Sequence, residues 1–176
     1  MTKEELGKKI WDVSHLTGEF KLRSGAVSNE YFDKYRFESI PSLLREIAVK
    51  MSALLPDDYD LLAGLETGGI PIAVMISQET NSPAVFVRKI AKQYGTAKLA
   101  EGAEIKGRKL VIIEDVVTSG GQILLSANDL RKLGAYISEV ICVIDRQAGA
   151  EGNLAKEGLK LKSLFTMAEL KMLAGK

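Results

Sequence analysis

Two adjacent carboxylates, Glu114 and Asp115, follow a short apolar run and precede a loop of small residues. The run covers residues 110–113 and is rich in β-branched side chains, which is typical of a strand buried on both faces of a parallel sheet. The residues after the acids are Val116, Val117, Thr118, Ser119, Gly120 and Gly121. Small residues between a buried strand and a helix allow backbone N–H groups to converge on an anion.

The acids and the loop make opposite demands on a ligand, because carboxylates repel phosphate. A ribose phosphate satisfies both, with its hydroxyls on Glu114 and Asp115 and its 5′-phosphate in the loop of residues 118–121. The alternative is an ordinary strand-to-helix turn, in which Asp115 bonds the loop and Ser119 caps the helix. The residues of the other loops show which of these two interpretations is favoured.

Three further loops carry residues that could do chemistry, and each follows a predicted strand. A second small-residue loop follows residues 60–65 and consists of Glu66, Thr67, Gly68 and Gly69. The cations Arg88, Lys89 and Lys92 follow residues 83–87, and Asp145 and Arg146 follow residues 137–144. Taken singly, the cations fit a solvated loop, and Arg146 fits a surface ion pair with Asp145. In a parallel sheet, however, all these loops meet beyond the carboxyl ends of the strands, which favours a functional site.

Composition restricts the class of protein. The chain has 176 residues, of which 46% are hydrophobic and 27% charged, and a formal net charge of +1. These values are ordinary for one globular domain and give no electrostatic footprint for nucleic acid or membrane binding. Cys142 is the single cysteine, which excludes an internal disulfide. No apolar run approaches the roughly twenty residues that span a bilayer, so we expect a cytoplasmic protein.

Periodicity and capping signals predict the secondary structure. A capping box of Thr2 and Glu5 predicts a helix over residues 3–16, and its histidine, His15, is assigned no role. Alternation predicts a hairpin from residues 18–22 and 30–37, Pro41 opens a second helix, and residues 88–107 show no clear periodicity. We expect an α/β fold with a doubly wound, mainly parallel sheet in one domain, residues 1–176. Residues 1–38 would supply an N-terminal helix and a hairpin-like appendage.

Four segments resemble a known enzyme family. The sequence V-I-I-E-D-V-V-T-S-G-G resembles the phosphoribosyl-pyrophosphate (PRPP) signature of type I phosphoribosyltransferases, whereas no P-loop and no G-x-G-x-x-G fingerprint is present. The segment F-K-L-R-S-G-A-V-S-N-E-Y-F-D resembles the N-terminal signature of orotate phosphoribosyltransferases, and V-R-K-I-A-K-Q-Y-G-T resembles their mobile catalytic loop. Arg146 after a strand matches their base-binding arginine. These matches follow the family's order and span nearly the whole chain.

The resemblance implies an activity and partners. Orotate phosphoribosyltransferases transfer ribose 5-phosphate from PRPP to orotate with Mg²⁺, giving orotidine 5′-monophosphate and pyrophosphate in pyrimidine biosynthesis. The family also implies a homodimer in which the loop of residues 88–102 reaches the neighbouring active site. No direct protein ligand for the metal is expected, because PRPP and water would hold most of the Mg²⁺. Neither nucleic acid nor a membrane is expected as a partner.

The resemblance also implies residue roles, and it makes residues 1–38 an N-terminal helix and base-binding hood. The catalytic candidates are Lys92, Lys89, Arg88 and Asp115. The PRPP-binding candidates are Glu66, Thr67, Gly68, Gly69, Arg88, Lys89, Lys92, Tyr94, Glu114, Asp115, Val116, Val117, Thr118, Ser119, Gly120 and Gly121. The orotate-binding candidates are Arg23, Tyr31, Phe32, Thr118 and Arg146. Cations on the loop after residue 87 would stabilise the leaving pyrophosphate, and the guanidinium of Arg146 would face the orotate carboxylate.

Three positions depart from the family pattern. Members often have lysine where Arg23 stands, many have histidine where Tyr94 stands, and many have lysine where Gly68 stands. A histidine proton donor to the leaving group is therefore not assumed, and another cation would have to replace the one missing at position 68. Two alternatives stay open: the same chemistry on another base, and a non-catalytic PRPP-binding regulator.

Overall fold

The computed structural model describes residues 1–21, 25–91 and 98–176 of the chain. Its helices are α1 (Lys3–Ser14), α2 (Lys34–Glu38), α3 (Pro41–Ser52), α4 (Gly69–Thr80), α5 (Gly121–Lys132), α6 (Ala150–Lys156) and α7 (Met167–Leu173). Its strands are β1 (His15–Lys21), β2 (Val27–Phe32), β3 (Leu61–Leu65), β4 (Ala84–Val87), β5 (Ala100–Gly102), β6 (Lys109–Val117), β7 (Tyr136–Asp145) and β8 (Lys160–Thr166). No helix in these described ranges is long and apolar enough to cross a membrane.

A six-stranded sheet in the order β5-β4-β3-β6-β7-β8 forms the centre of the molecule. All its neighbouring strands are parallel except β5, which pairs antiparallel with β4. Buried apolar residues form one core cluster on each face of the sheet. The expectation of an α/β fold with a mainly parallel sheet is confirmed.

The chain order around the sheet creates a crevice between β3 and β6. From β3 the chain continues to β4 on one side, and from β6 it continues to β7 on the other side. Ligands of open α/β sheets bind at such a reversal, beyond the carboxyl ends of the strands. The loops of residues 66–69 and 118–121 follow β3 and β6, so both border this crevice.

The N-terminal region differs from the prediction in two places. Helix α1 ends at Ser14, and His15 begins β1 instead of closing the helix. The predicted strand of residues 30–37 ends at Phe32, because Asp33 Oδ1 accepts a 3.2 Å hydrogen bond from the backbone N of Tyr35 and begins α2. The paired strands β1 and β2 and helix α2 form what we call the hood, and Phe37 anchors it with a fully buried ring.

The connection of residues 88–107, predicted to be unstructured, contains a strand in its described part. Residues 100–102 form β5, whose backbone pairs with β4 at Val87↔Ala100, Phe86↔Glu101 and Val85↔Gly102. This pairing returns the chain to the sheet edge beside the cations that follow β4.

Candidate active site

The two acids at the end of β6 face different surroundings, as successive side chains of a strand do. Glu114 belongs to the lining of a cavity of about 270 Å³. The other lining residues are Val116, Val117, Thr118, Ser119, Gly120, Gly121, Gln122 and Ile123. The Asp115 side chain is only 1% exposed, and its Oδ2 lies 2.5 Å from Lys34 Nζ of the hood. The acid pair therefore divides between the 118–121 loop and the hood.

Burial dominates the electrostatics around this pair. Burial and the charge of Asp115 raise the pKa of Glu114 and the pKa of Glu38 on α2, the latter to about 8. The Oε1 atom of Glu38 is buried without a hydrogen-bond partner. Burial acts to lower the pKa of Lys34, but the hydrogen bond and the charge of Asp115 raise it overall. Three carboxyl groups thus lie around one ammonium group, an environment that favours further hydrogen-bond donors or a cation.

The 66–69 loop packs directly against the acid pair. A Cβ atom on Gly68 would lie 1.6 Å from Asp115 Oδ2, and a Cβ atom on Gly69 would lie 2.2 Å from the carbonyl oxygen of Ile113. Only glycine permits this approach. Glu66 Oε2 accepts a 2.9 Å hydrogen bond from the backbone N of Lys89, which ties this loop to the segment after β4.

The 118–121 loop starts helix α5 without a side-chain cap. Gly120 is the N-cap residue with a φ of 78°, and no side chain caps the helix. The interpretation in which Ser119 caps it is therefore wrong. Asn153 Nδ2 instead donates a 3.1 Å hydrogen bond to the Ser119 carbonyl oxygen. The first N–H groups of α5 remain available to an anion in the adjoining cavity.

The basic segment after β4 is described only in part. The backbone N of Arg88 donates a 2.9 Å hydrogen bond to the Leu99 carbonyl oxygen, and its Nε lies 3.4 Å from Glu101 Oε1. The structure thus fixes the start of the segment at the sheet edge, next to the 66–69 loop. Lys92 and Tyr94 lie outside the described residues.

A second cavity, of about 200 Å³, lies between the hood and the ends of β7 and β8. Its lining consists of Trp11, His15, Ser28, Glu30, Tyr31, Phe32, Arg146, Met167 and Lys171. Arg146 is tied to the end of β6, because its backbone N donates a 2.9 Å hydrogen bond to the Val117 carbonyl oxygen. Asp145 Oδ1 accepts a 2.8 Å hydrogen bond from the backbone N of Gln147.

The second cavity brings together three orotate-binding candidates, Tyr31, Phe32 and Arg146. Thr118, also a candidate, lines the first cavity instead. Arg23 lies outside the described residues.

Sequence reasoning missed four residues near these cavities: His15, Lys34, Glu38 and Lys171. The ring of His15 stacks on Trp11 with centroids 4.4 Å apart, and its Nε2 lies 2.8 Å from Glu30 Oε2. Asp33 is a strong helix N-cap residue, so it was the one sequence signal for α2 and hence for Lys34 and Glu38. Nothing in the sequence pattern placed Lys171 in the same cavity as Arg146, since that placement depends on how α7 returns to the hood.

Comparison with known proteins identifies the family. Residues 36–167 match the phosphoribosyl transferase domain. The chain is 52% identical over 165 residues to the orotate phosphoribosyltransferase of a Nocardioides species, a match that covers 94% of this chain and 92% of the relative.

Solved structures of orotate phosphoribosyltransferases superpose on this chain over nearly its whole length. The Mycobacterium tuberculosis H37Rv orotate phosphoribosyltransferase in complex with Fe(III) dicitrate superposes with a TM-score of 0.86 at 31% identity, covering 96% of this chain and 98% of the other. The same enzyme in complex with PRPP gives a TM-score of 0.81 at 29% identity and covers 96% and 98% of the two chains. The acid pair lies between two glycine loops, and both the sequence relatives and the solved structures are orotate phosphoribosyltransferases. The chain therefore belongs to the orotate phosphoribosyltransferases of the phosphoribosyltransferase family.

Proposed function

We propose that this chain transfers the ribose 5-phosphate of PRPP to orotate and releases orotidine 5′-monophosphate and pyrophosphate. The observation that carries the proposal is the divided acid pair: Glu114 borders the 118–121 cavity, whereas Asp115 borders the 66–69 loop. A ribose held by both acids would have one glycine loop on each side. Its 5′-phosphate would lie at the start of α5, and its pyrophosphate would lie at the 66–69 loop.

The chemistry requires stabilisation of charge that develops on the leaving group. A ring nitrogen of orotate attacks the anomeric carbon while the bond from that carbon to the pyrophosphate oxygen breaks. Arg88, Lys89 and Lys92 would stabilise the departing pyrophosphate, and the backbone N–H groups of the 66–69 loop would support it. Tyr94 would also contact PRPP. Removing one good electrostatic donor of this kind typically costs about 2.7–4 kcal/mol of barrier.

The hood cavity would hold the base. Arg146 would pair with the orotate carboxylate through its planar guanidinium, and Arg23 would add a second positive charge. The backbone of Tyr31 and Phe32 would pair with the edge of the pyrimidine, and Thr118 would approach from the first cavity. Lys171 lines the same cavity as Arg146, which makes the surroundings of the carboxylate more positive.

A bound Mg²⁺ would neutralise part of the pyrophosphate charge. The described residues contain no group of three or more His, Cys, Asp or Glu side chains arranged to hold a metal ion. The buried carboxyls of Glu114 and Asp115 fit a looser role, as acceptors for water molecules of a magnesium ion that PRPP itself binds. The two acids would thereby orient the ribose hydroxyls and the hydrated metal together.

The proposal extends to the whole chain and its assembly. Residues 1–176 would act as one domain, with residues 1–38 as the N-terminal helix and base-binding hood. Two copies would form a homodimer in the cytoplasm, and the loop of residues 88–102 would reach the active site of the neighbouring copy. Size-exclusion chromatography with light scattering would test the dimer, and a mass of one 19.2 kDa chain would contradict it.

Turnover with orotate tests the activity. Protein, Mg²⁺ and PRPP are incubated with orotate, and the loss of orotate absorbance is followed. Arg146→Ala should raise the KM for orotate about tenfold to hundredfold, the range of a hydrogen bond to a charged group, and leave the KM for PRPP nearly unchanged. Arg45→Ala, an exposed arginine of α3 that lines neither cavity, is the matched control. Consumption of a purine base but not orotate, or binding of nucleic acid without turnover, would contradict the proposal.

A further inference from the structure

Lys34 reaches from the hood to the more deeply buried of the two acids. Its Nζ lies 2.5 Å from Asp115 Oδ2, and its side chain is 33% exposed, against 1% for Asp115. The ammonium also lies 5.1 Å from the centroid of the Tyr35 ring. Phe37, three residues further along α2, is completely buried, so the helix that carries Lys34 is anchored in the core. The ion pair is therefore a fixed link between the hood and β6.

The surroundings of Asp115 Oδ2 explain why a cation is needed there. The backbone of Gly68 lies so close that a Cβ atom would approach Oδ2 to 1.6 Å. On another side, the buried carboxyl of Glu38 has an oxygen without a hydrogen-bond partner. An ionised carboxylate enclosed in this way is costly unless a positive charge or a hydrogen-bond donor compensates it. Lys34 supplies the positive charge.

The pairing leaves Asp115 with capacity for a ligand. An ionised carboxylate has about four lone-pair positions for hydrogen bonds. The backbone N of Val116 donates to Oδ1, and Lys34 forms an ion pair with Oδ2. A ribose hydroxyl or a metal-bound water would use another of these positions when PRPP binds.

We propose that Lys34 is a positioning residue, which holds the Asp115 carboxylate against Gly68 so that it can bind the ribose of PRPP. This inference rests on the proposed function, since it assigns PRPP to the site. Lys34 acts through Asp115 rather than on the substrate. A cation of the hood thus stabilises the acid that packs against the 66–69 loop, where Gly68 has no side chain that could do so.

A double-mutant cycle tests this indirect role. Lys34→Met should lower kcat/KM for PRPP about tenfold to hundredfold, the range for losing a hydrogen bond to a charged group. Asp115→Asn should cause a similar loss. In the Asp115→Asn protein, Lys34→Met should change kcat/KM for PRPP by less than about twofold, because the partner through which it acts is already neutral. The KM for orotate should stay nearly constant in all four proteins.

The same cycle is measured on PRPP binding by calorimetry, so that it does not depend on turnover. Losses that multiply in the double variant would overturn the proposal, since Lys34 would then act independently of Asp115. Unchanged PRPP affinity in Lys34→Met would overturn it as well. An unmodified protein that binds PRPP but does not consume orotate would instead contradict the proposed function, while the binding cycle still decides the role of Lys34.

Two further variants separate positioning from folding. Lys34→Gln keeps an N–H donor and replaces Lys34→Met in the cycle if the latter does not fold; its loss of PRPP affinity should be smaller but equally dependent on Asp115. Lys3→Met removes the exposed 3.6 Å pair with Glu169, far along the chain from the acid pair, and should leave PRPP affinity unchanged. Thermal unfolding of each variant establishes that the proteins compared are folded.

Discussion

The two glycine loops of the crevice are similar in sequence but differ in what surrounds them. In the 66–69 loop, Gly68 and Gly69 are buried, and added Cβ atoms would meet Asp115 Oδ2 and the Ile113 carbonyl oxygen. In the 118–121 loop, three of the four residues are exposed and all four line a cavity. A Cβ atom on Gly121 would meet nothing nearer than Ser119 Oγ at 3.8 Å.

The difference separates two uses of glycine. In the 66–69 loop the missing side chain makes room for the protein itself, so that the acids, the hood and β6 can pack together. In the 118–121 loop, Gly120 has a φ of 78° and lies against Leu154, but at Gly121 the missing side chain leaves room for a ligand. Substitutions in the first loop should therefore affect folding, whereas a substitution at Gly121 should affect binding.

Gly69→Ala should give the largest effect on stability. The new methyl group would lie 2.2 Å from a backbone carbonyl oxygen of β6, which cannot move without disturbing the sheet. We expect a loss of about 3 kcal/mol or more in the free energy of unfolding, measured by urea denaturation. Gly152→Ala, in α6 with nothing within 4 Å of its Cβ position, is the matched control and should be neutral or slightly stabilising. Equal stabilities for the two variants would show that Gly69 is not required for the packing of the 66–69 loop against β6.

Gly121→Ala should give the opposite pattern. Its methyl group fits sterically and alanine favours the helix, so the free energy of unfolding should stay constant or rise slightly. The methyl group would narrow the cavity at the start of α5, where the 5′-phosphate is proposed to lie. We expect PRPP affinity to fall about tenfold, or about 1.4 kcal/mol, by calorimetry. Affinity equal to that of Gly152→Ala would argue against the phosphate position.

The sequence predicted the sheet better than the hood, for a physical reason. The strands β6 and β7 are long runs of buried apolar residues, so their pattern is visible without the rest of the molecule. Helix α2 has only five residues, too few for a helical period to show, and the alternation of Tyr35 and Phe37 mimics a strand. The three residues of β5 are defined only by their pairing with β4.

The candidate site shows the same limit. The motif of residues 112–121 predicted the order strand, acids, small-residue loop and helix, because these are neighbours along the chain, but the predicted strand ended at Ile113 whereas β6 continues through both acids to Val117. The division of the acids could not be predicted, because it depends on Gly68, Lys34 and Glu38, which arrive from distant elements. Contacts within a strand–loop–helix unit can be inferred from sequence, whereas contacts between units require the fold.

Glu38→Gln should give the smallest effect on stability, and the size of this effect depends on pH. Burial, together with the charges of Asp115 and Asp33, raises the pKa of Glu38 from 4.5 to about 8 against the opposing charge of Lys34. The folded protein therefore holds a proton that the unfolded chain releases, so this group costs increasing stability as pH rises from about 4.5 to 8. Glutamine does not ionise, so the variant should gain about 1 kcal/mol at pH 8.5, seen as a rise of about 2–4 °C in Tm, and almost nothing at pH 5.

Glu169→Gln provides a control of opposite sign. The backbone hydrogen bond from Thr166 lowers the pKa of Glu169, so its carboxylate contributes stability above the ordinary pKa and loses it on acidification. This variant should lower Tm at pH 8.5 and have less effect at pH 3.5. If Glu38→Gln changed Tm equally at pH 5 and pH 8.5, ionisation of the Glu38 carboxyl would not lower the stability of the folded protein. The three carboxyl groups around Lys34 would then carry no pH-dependent cost to stability.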